Sequence, residues 1–327
     1  MLLAVLAVAG AAWQAIAERA DRRRFAPVGR VVEVQGRRVH LVESGSGPSP
    51  VVVLECGIGG ATSSSWGQVE PQVAHFARVL AYDRAGMGLS DPAPSFRDGV
   101  TLTTELHALL EAAQVPRPVV LVGHSYGGLL ARLYAARWPG EVAGMVLVES
   151  SHADQFGRTV AARRRLVRFS QVMPILPVAA RLGIVRAVLT FLPTAIRTLP
   201  SDARDRQLAF MAGSGQWDAI VRELAAWDST NAEVRAMAGP LGDRPLRVLT
   251  AGGTSRAWGR WRSLQSDLTA LSTRSAHQVV PGAGHATLIE DARYAPSVVA
   301  AIHEVVDAVR AERAPTPAPS AAARPGG

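Results

Sequence analysis

The distribution of apolar and polar residues predicts alternating strands and helices. Short apolar runs rich in branched side chains recur along the chain, and stretches of helical spacing such as 102–113 and 125–137 lie between them. The predicted buried strands cover residues 51–54, 79–82, 119–122, 145–149, 247–250 and 277–280. A hairpin of alternating strands, 30–35 and 38–43, precedes them. This order predicts an α/β fold with a mostly parallel, doubly wound sheet, whose ligands bind beyond the carboxyl ends of the strands.

The strand pattern stops between residues 153 and 240, where we predict an inserted helical cap that separates the core into 27–152 and 241–312. Its apolar stretch, 172–193, is broken by Pro174, Pro177 and Gly183 and also holds two arginines, so a second membrane span is not expected. The large apolar residues of this stretch either pack on the core or line an apolar substrate pocket: Met173, Leu176, Val178, Leu182, Val185, Leu189 and Phe191.

The first seventeen residues are apolar except for Gln14 and predict a membrane-directed segment. A retained anchor is favoured because Arg19 and residues 22–24 place positive charge directly after it; export with cleavage near residues 15–17 is the alternative. A helix docked on the soluble domain fits this segment poorly, because it is apolar all round. The Pro- and Ala-rich residues 313–327 are expected to be disordered.

Composition removes several classes of function. All 35 basic residues are arginine, and the net charge is +8, but the arginines are scattered and not interleaved with aromatic side chains, so no nucleic-acid partner is expected. The single cysteine, Cys56, excludes an internal disulfide framework and a zinc site of several thiolates. The glycine-rich loops at 57–60 and 86–88 lack phosphate-binding patterns, and we expect no cofactor and no metal.

The nucleophile is predicted at Ser125. Residues 123–127 read GHSYG and match G-x-S-x-G, with an apolar strand before the serine and a helical pattern after it. Such a sharp strand-to-helix turn needs small residues at Gly123 and Gly127, since side chains there would collide. This turn exposes the serine hydroxyl at the top of the sheet, beyond the carboxyl end of the preceding strand.

A general base and an oxyanion hole are predicted from two further loops. A serine hydroxyl needs a base within hydrogen-bond reach, and His285 follows the strand 277–280 in the loop GAGH, downstream of the nucleophile. The two backbone donors for an oxyanion are predicted at Tyr126, the residue after the nucleophile, and at Ile58 in the loop after strand 51–54.

Four motifs in this order resemble the α/β-hydrolase superfamily from about residue 30 to residue 310. They are LECGIGG at the oxyanion loop, YDRAGMGLSD at 82–91, GHSYGG at the nucleophile and GAGH at the histidine. The apolar N-terminus and the segment GMVLVESSHADQ look like those of bacterial membrane-tethered members of the esterase and aminopeptidase-like branch. The resemblance implies an α/β-hydrolase fold and a serine hydrolase that works through an acyl-enzyme.

The acid of the triad departs from the family's pattern. Many members carry an aspartate soon after the seventh strand, but residues 251–258 contain no carboxylate. Related hydrolases, haloalkane dehalogenases among them, use a carboxylate at the end of the preceding strand, where this chain has Glu149. We therefore predict the triad Ser125, His285 and Glu149, with Asp154 and Asp267 as alternative acids.

The expected activity is hydrolysis of a small-molecule carboxylic ester, a lipophilic one because of the apolar cap and the membrane segment. One alternative is a proline-type aminopeptidase, with Glu223 and Asp228 of the cap binding the substrate's amino terminus. The other is a non-catalytic ligand receptor on the same fold. Cys56 is interpreted as a buried filler and not as a second nucleophile.

Overall fold

The computed structural model describes residues 1–26, 28–60, 62–92, 96–155, 171–191, 198–253 and 258–313. The strands in this part are β1 (Arg30–Val34), β2 (Arg37–Ser44), β3 (Val52–Glu55), β4 (Val79–Tyr82), β5 (Val119–His124), β6 (Val142–Val148), β7 (Leu246–Gly252) and β8 (Ser275–Pro281). These eight described strands form one sheet in the order β1-β2-β4-β3-β5-β6-β7-β8. The first two pairings, β1 with β2 and β2 with β4, are antiparallel, and all the others are parallel.

Helices cover both faces of the sheet. The described α-helices are α1 (Leu2–Phe25), α2 (Glu70–Val73), α3 (Gly99–Ala112), α4 (Tyr126–Arg137), α5 (Ile175–Arg181), α6 (Ile184–Phe191), α7 (Ser201–Met211), α8 (Ser214–Ala225), α9 (Trp227–Met237), α10 (Trp258–Asp267), α11 (Thr287–Glu290) and α12 (Ala295–Arg313). Short 3₁₀ segments lie at Ser63–Trp66, Pro139–Glu141 and Leu268–Leu271.

The core consists of two apolar layers, one on each face of the sheet. Val52 and Leu54 of β3 pack into the layer that includes α12, whereas the residue between them, Val53, packs into the layer that includes Leu106 of α3. This alternation follows from the two-residue period of a strand, and burial on both faces explains why these strands are continuous apolar runs. The α/β fold predicted from the sequence is confirmed.

The strand ends differ from the sequence pattern by a few residues. β6 begins at Val142, three residues before the apolar run. Gly144 pairs with Val120 although it has no side chain, and Ala143 lies at an irregularity in the register. Helices α5 to α9, which we call the inserted helices, lie between β6 and β7. The division into core and cap stays a prediction, and the tail predicted at 313–327 lies, after Arg313, outside the described residues.

Helix α1 is long and apolar enough to cross a membrane by length and composition. Against expectation, its second half is docked on the inserted helices. Gln14 is only 2% exposed, and its amide nitrogen donates to the Ala212 carbonyl at 2.7 Å. The backbone amide of Ser214 donates to Glu18 at 2.8 Å. These contacts overturn the expectation that the segment does not dock.

The sequence signal for this docking is a stripe within α1. Gln14, Glu18, Asp21 and Phe25 are spaced three or four residues apart and therefore share one face of the helix. Asp21 pairs with Arg186 of α6 at 2.8 Å, and Phe25 is buried. Only Gln14 of this stripe lies within residues 1–17, so the sequence of these residues alone does not show it.

Candidate active site

Ser125 lies at a sharp turn between β5 and α4. Its backbone has φ 54° and ψ −122°, a left-handed region that side chains other than glycine rarely adopt. Hydrogen bonds hold this conformation: the Ser125 amide donates to the Val148 carbonyl at 3.1 Å, and its own carbonyl accepts from the amide of Ser151 at 2.8 Å. Strain of this kind persists only where the surroundings enforce it, and here it places the hydroxyl beyond the carboxyl end of β5.

The glycines around the turn are required by close approach. A Cβ at Gly123 would lie 2.6 Å from the Gly127 carbonyl oxygen, and one at Gly127 would overlap the Glu55 carbonyl. A Cβ at Gly57 would come within 2.8 Å of the Ser125 Cβ. The oxyanion loop therefore passes directly against the serine, which only a residue without a side chain allows.

His285 reaches the serine from the loop between β8 and α11. Its Nε2 lies 3.0 Å from Ser125 Oγ, a hydrogen-bond distance. The ring keeps contact with solvent, but the protein around it restricts hydration of the imidazolium and lowers the pKa of His285 below its ordinary value. A neutral imidazole at this position can accept the hydroxyl proton.

His124 holds the loop that carries His285. Its Nε2 donates to the backbone carbonyl of His285 at 2.9 Å, and its ring lies 4.9 Å from the His285 ring and edge-on to Trp66. Burial, with the nearby His285, lowers the pKa of His124 to about 3, so the ring is neutral and keeps its donor proton on Nε2. Sequence reasoning assigned no role to this residue, and only its place beside Ser125 marked it.

The predicted oxyanion donors flank the serine. Ile58 follows Gly57, and Tyr126 is the first residue of α4, where backbone amides have no acceptor within the helix. In the described part of the chain, no backbone hydrogen bond uses the amide of Ile58 or Tyr126. The Tyr126 side chain is buried, and its hydroxyl pairs with that of Thr230 in α9 at 2.9 Å.

Arg84 binds the predicted oxyanion loop at residues 55–57. Its guanidinium donates to the Glu55 carboxylate at 2.7 Å, to the Cys56 carbonyl at 2.7 Å and to the Gly57 carbonyl at 3.2 Å. On its other side it makes two hydrogen bonds to the carboxylate of Glu223, at 3.0 and 2.8 Å. Burial alone would lower the pKa of Arg84, but Glu223 and Glu55 raise it well above its ordinary value. The loop is thus tied to α8 through one buried cation.

This network assigns Glu223 to structure. Glu223 is fully buried, and Arg97 lies 3.5 Å from its carboxylate in addition to Arg84. The aminopeptidase alternative requires a carboxylate facing the substrate, whereas this one is engaged by two guanidinium groups. Arg84 lies within the motif YDRAGMGLSD, but its contact with Glu223 was not predictable from the sequence, because the two residues are 139 positions apart.

Glu149 directly follows β6, with φ 45°, and is 3% exposed. One carboxylate oxygen accepts from the backbone amide of Ala251 at 2.6 Å, and the other accepts from the indole nitrogen of Trp261 at 2.6 Å. Burial raises the pKa of Glu149 despite these donors. Among the described residues, no carboxylate forms a hydrogen bond or an ion pair with the ring of His285.

The alternative acids lie in more open positions. Asp154 is paired with Arg235 at 3.6 Å, and Asp267 is exposed at the end of α10.

Cys56 is buried, its thiol donates to the Thr62 carbonyl at 3.3 Å, and burial raises the pKa of that thiol well above its ordinary value. A thiol in this state is a poor nucleophile, which agrees with its interpretation as a filler.

The family comparison agrees with this architecture. The model of the alpha/beta hydrolase family matches residues 51–301. An AB hydrolase superfamily protein of Gibberella zeae is 39% identical over 106 residues, which cover 31% of this chain and 33% of that protein. The 2-hydroxy-6-oxo-2,4-heptadienoate hydrolase of Pseudomonas putida is 33% identical over 124 residues, which cover 38% of this chain and 45% of that enzyme.

The structural comparison extends over most of the fold. A thermophilic esterase of Thermogutta terrifontis superposes with a TM-score of 0.62 at 17% identity, over 86% of this chain and 98% of the esterase. The matches span less than half the length of each of these two curated relatives, so neither relative's substrate transfers to this chain directly. Since the family model covers most of the chain and the sheet has the matching topology, the chain belongs to the alpha/beta hydrolase family.

Proposed function

We propose that this protein is a serine hydrolase that cleaves carboxylic esters through an acyl-enzyme. Ser125 is the nucleophile, His285 the general base and Glu149 the acid that orients it. The observation that carries the proposal is the 3.0 Å approach of His285 Nε2 to Ser125 Oγ at a strained strand-to-helix turn. A non-catalytic receptor would not require His285 and Ser125 to lie at hydrogen-bond distance.

In the first half of the reaction, Ser125 Oγ attacks the ester carbonyl carbon while its proton moves to His285 Nε2. The carbonyl oxygen becomes an oxyanion, and the amides of Ile58 and Tyr126 are the donors proposed to stabilise it. The bond to the leaving alkoxide then breaks, and His285 returns the proton to that oxygen. The alcohol departs and the acyl group stays on Ser125.

In the second half, His285 accepts a proton from water as the water oxygen attacks the acyl carbon. The bond from this carbon to Ser125 Oγ breaks, Oγ takes the proton back, and the carboxylic acid leaves. The donors and the base therefore act twice in the same positions.

Glu149 suits the role of the acid by its hydrogen bonds. Each of its oxygens accepts one N–H donor, and a carboxylate oxygen has a second lone pair for the Nδ1 proton of His285. Its position after β6 is next to the end of β5, where the serine lies. A carboxylate buried here would stabilise the imidazolium that forms during each proton transfer.

The substrate we propose is a lipophilic ester. Met173 is buried, and Leu176 of α5 packs on the same apolar cluster, which also contains Tyr126 and Trp66 beside the nucleophile. The inserted helices therefore contribute apolar side chains to the same cluster as Tyr126, the residue after the nucleophile. Other apolar residues of the predicted lid, such as Val178 and Phe191, point to solvent instead.

The test uses the full chain in mild detergent, because α1 is docked on the inserted helices. We expect a fluorophosphonate probe to modify Ser125, as mapped by mass spectrometry, and p-nitrophenyl esters from acetate to palmitate to be hydrolysed with an optimum at a medium or long chain. Ser125→Ala and His285→Ala should abolish both signals. Ser201→Ala, at the exposed start of α7, is the matched control.

The possible outcomes separate the parts of the proposal. Hydrolysis confined to acetate would overturn the lipophilic substrate and leave the serine hydrolase intact. A folded protein that neither reacts with the probe nor turns over esters would overturn the hydrolase. Cleavage of aminoacyl-p-nitroanilides in preference to esters would favour the aminopeptidase, against the pairing of Glu223 with Arg84.

A further inference from the structure

The exposed large apolar side chains are concentrated on two segments of the chain. Among the described residues, all of them except Val31, Phe96 and Met237 lie within residues 1–16 or 172–191. Leu3 is 83% exposed in the first segment, and Phe191 is 82% exposed in the second. Exposed apolar residues scattered singly are ordinary, but concentration of this degree marks an interaction surface.

The two segments lie side by side. The backbone of α1 at Gly10 approaches the Leu182 carbonyl so closely that a Cβ would overlap it, and a Cβ at Gly183 would lie 2.6 Å from the Trp13 ring. Arg186 of α6 donates to the side-chain oxygen of Gln14 at 2.9 Å. The exposed apolar residues of both segments therefore belong to one end of the molecule.

The docking of α1 limits how far it reaches. From Gln14 onward the helix is held by buried hydrogen bonds to the Ala212 carbonyl and, through Glu18, to the Ser214 amide. At 1.5 Å per residue, the thirteen residues before Gln14 extend about 20 Å, whereas a bilayer's hydrocarbon core is about 30 Å thick. Deeper insertion would separate these buried polar groups from their partners.

Positive charge follows the apolar part directly. Arg19, Arg22 and Arg23 are exposed, whereas the neighbouring Arg24 pairs with Asp205 at 3.0 Å. The acidic residues among them are engaged by the protein: Glu18 by Ser214 and Asp21 by Arg186. A basic cluster beside an apolar surface matches a bilayer with anionic headgroups, since the apolar side chains enter the acyl region while the arginines stay at the surface.

We propose that residues 1–13 of the chain and the exposed residues of 172–191 form one surface that inserts into a single leaflet of an anionic lipid bilayer. Arg19, Arg22 and Arg23 contact the headgroups, and α1 stays docked without crossing the membrane. In this arrangement the retained N-terminal segment lies in one leaflet and does not cross the bilayer. It stands independently of the proposed hydrolytic activity.

The first experiment is co-sedimentation of the full chain with phosphatidylcholine vesicles that contain or lack phosphatidylglycerol. Two double variants test the two segments: Leu3→Asp with Leu6→Asp, and Ile175→Asp with Val178→Asp. We expect each pair to weaken binding at least about tenfold, because apolar surface is lost and charge is added. Val31→Asp with Met237→Asp, at residues that are 51% and 45% exposed but lie outside the surface, is the matched control and should bind like the wild type.

The outcomes are distinct. Unchanged binding of the variant at 175 and 178 would overturn the two-segment surface and leave only an N-terminal anchor. Equal binding to vesicles with and without phosphatidylglycerol would overturn the role of the arginines. Thermal unfolding of each variant in detergent shows whether a loss of binding reflects a loss of fold.

A second experiment separates insertion into one leaflet from crossing. Single cysteines at Leu3, Ala9, Ala12 and Ala20 carry an environment-sensitive fluorophore, while the buried thiol of Cys56 stays unmodified. Brominated lipids should quench the label most strongly at position 3, progressively less at 9 and 12, and not at 20. Maximal quenching at 9 and 12 with little at 3 is the profile of a spanning helix and would overturn the proposal.

Discussion

The two sides of Ser125 use buried carboxylates in different ways. On the side of the oxyanion loop, Glu55 and Glu223 enclose the guanidinium of Arg84. On the side of His285, Glu149 accepts only neutral N–H donors, and Glu290 of α11 has a buried oxygen without a hydrogen-bond partner among the described residues. No described cation is paired with either of these two carboxylates.

The difference follows from what each side has to do. A buried ion pair with several hydrogen bonds keeps a loop in one geometry, and the oxyanion donors need a fixed geometry. A carboxylate without a resident cation has a raised pKa, but it is free to pair with a cation that appears during the reaction, which in the proposed mechanism is the imidazolium of His285. The comparison predicts which substitutions affect the chemistry and which affect the fold.

The largest expected effect on the chemistry comes from Glu149→Gln. If Glu149 orients His285, the amide variant loses the correct tautomer, and kcat falls by up to about four orders of magnitude. The amide NH2 also leaves one of the two N–H donors of Glu149 without an acceptor, which should cost about 1–3 kcal/mol of stability. Ester hydrolysis and urea unfolding of the same preparation measure the two quantities. Asp154→Asn and Asp267→Asn serve as controls, and near-normal turnover of Glu149→Gln together with a large loss in one of them would transfer the role to that residue.

The complementary change on the other side is Glu223→Gln. It leaves the buried Arg84 with less charge compensation, so we expect a loss of about 3–5 kcal/mol in the free energy of unfolding, measured in urea. Asp218 lies on the same helix as Glu223 and forms a more exposed pair with Arg181. Asp218→Asn should therefore lower the free energy of unfolding by less than about 1 kcal/mol. Equal losses in both variants would mean that the Arg84 network does not hold the loop.

Glu290 should make the stability of the protein depend on pH. Burial raises the pKa of Glu290 to about 7 from the usual 4.5, so between these values the folded protein binds a proton that the unfolded chain has released. Stability should therefore fall as the pH rises from about 4.5 to 7, by roughly 3 kcal/mol. Glu290→Gln should remove this slope in urea unfolding at pH 5 and pH 8, whereas the exposed Glu304→Gln should keep it.

The smallest effect concerns the base itself. Burial lowers the pKa of His285 below its ordinary 6.5, and the base works only when it is neutral. The acid limb of kcat/KM should therefore have its midpoint below pH 6.5, and activity should rise by less than about 1.3-fold between pH 7 and pH 8. A midpoint above 6.5 would contradict the lowered pKa and would mean that the Glu149 carboxylate stabilises the imidazolium already in the free enzyme.

The sequence by itself determined the features that are encoded in short stretches. Branched apolar runs specified the strands, because a strand buried on both faces needs them along its whole length. Ser125 was predictable because a Cβ at Gly123 or Gly127 would collide across the turn. His285 was predictable from a tight loop after a strand, and it lies at hydrogen-bond distance from the serine.

Only the tertiary structure decided which side chains support this pair. The donors to Glu149 come from Ala251 and Trp261, 102 and 112 residues away, and no local pattern records such contacts. The same holds for α1, whose docking depends on partners 172 to 198 residues distant from Gln14. Local propensity and spacing determine elements and turns, whereas the pairing of buried polar groups depends on distances that arise only when those elements pack.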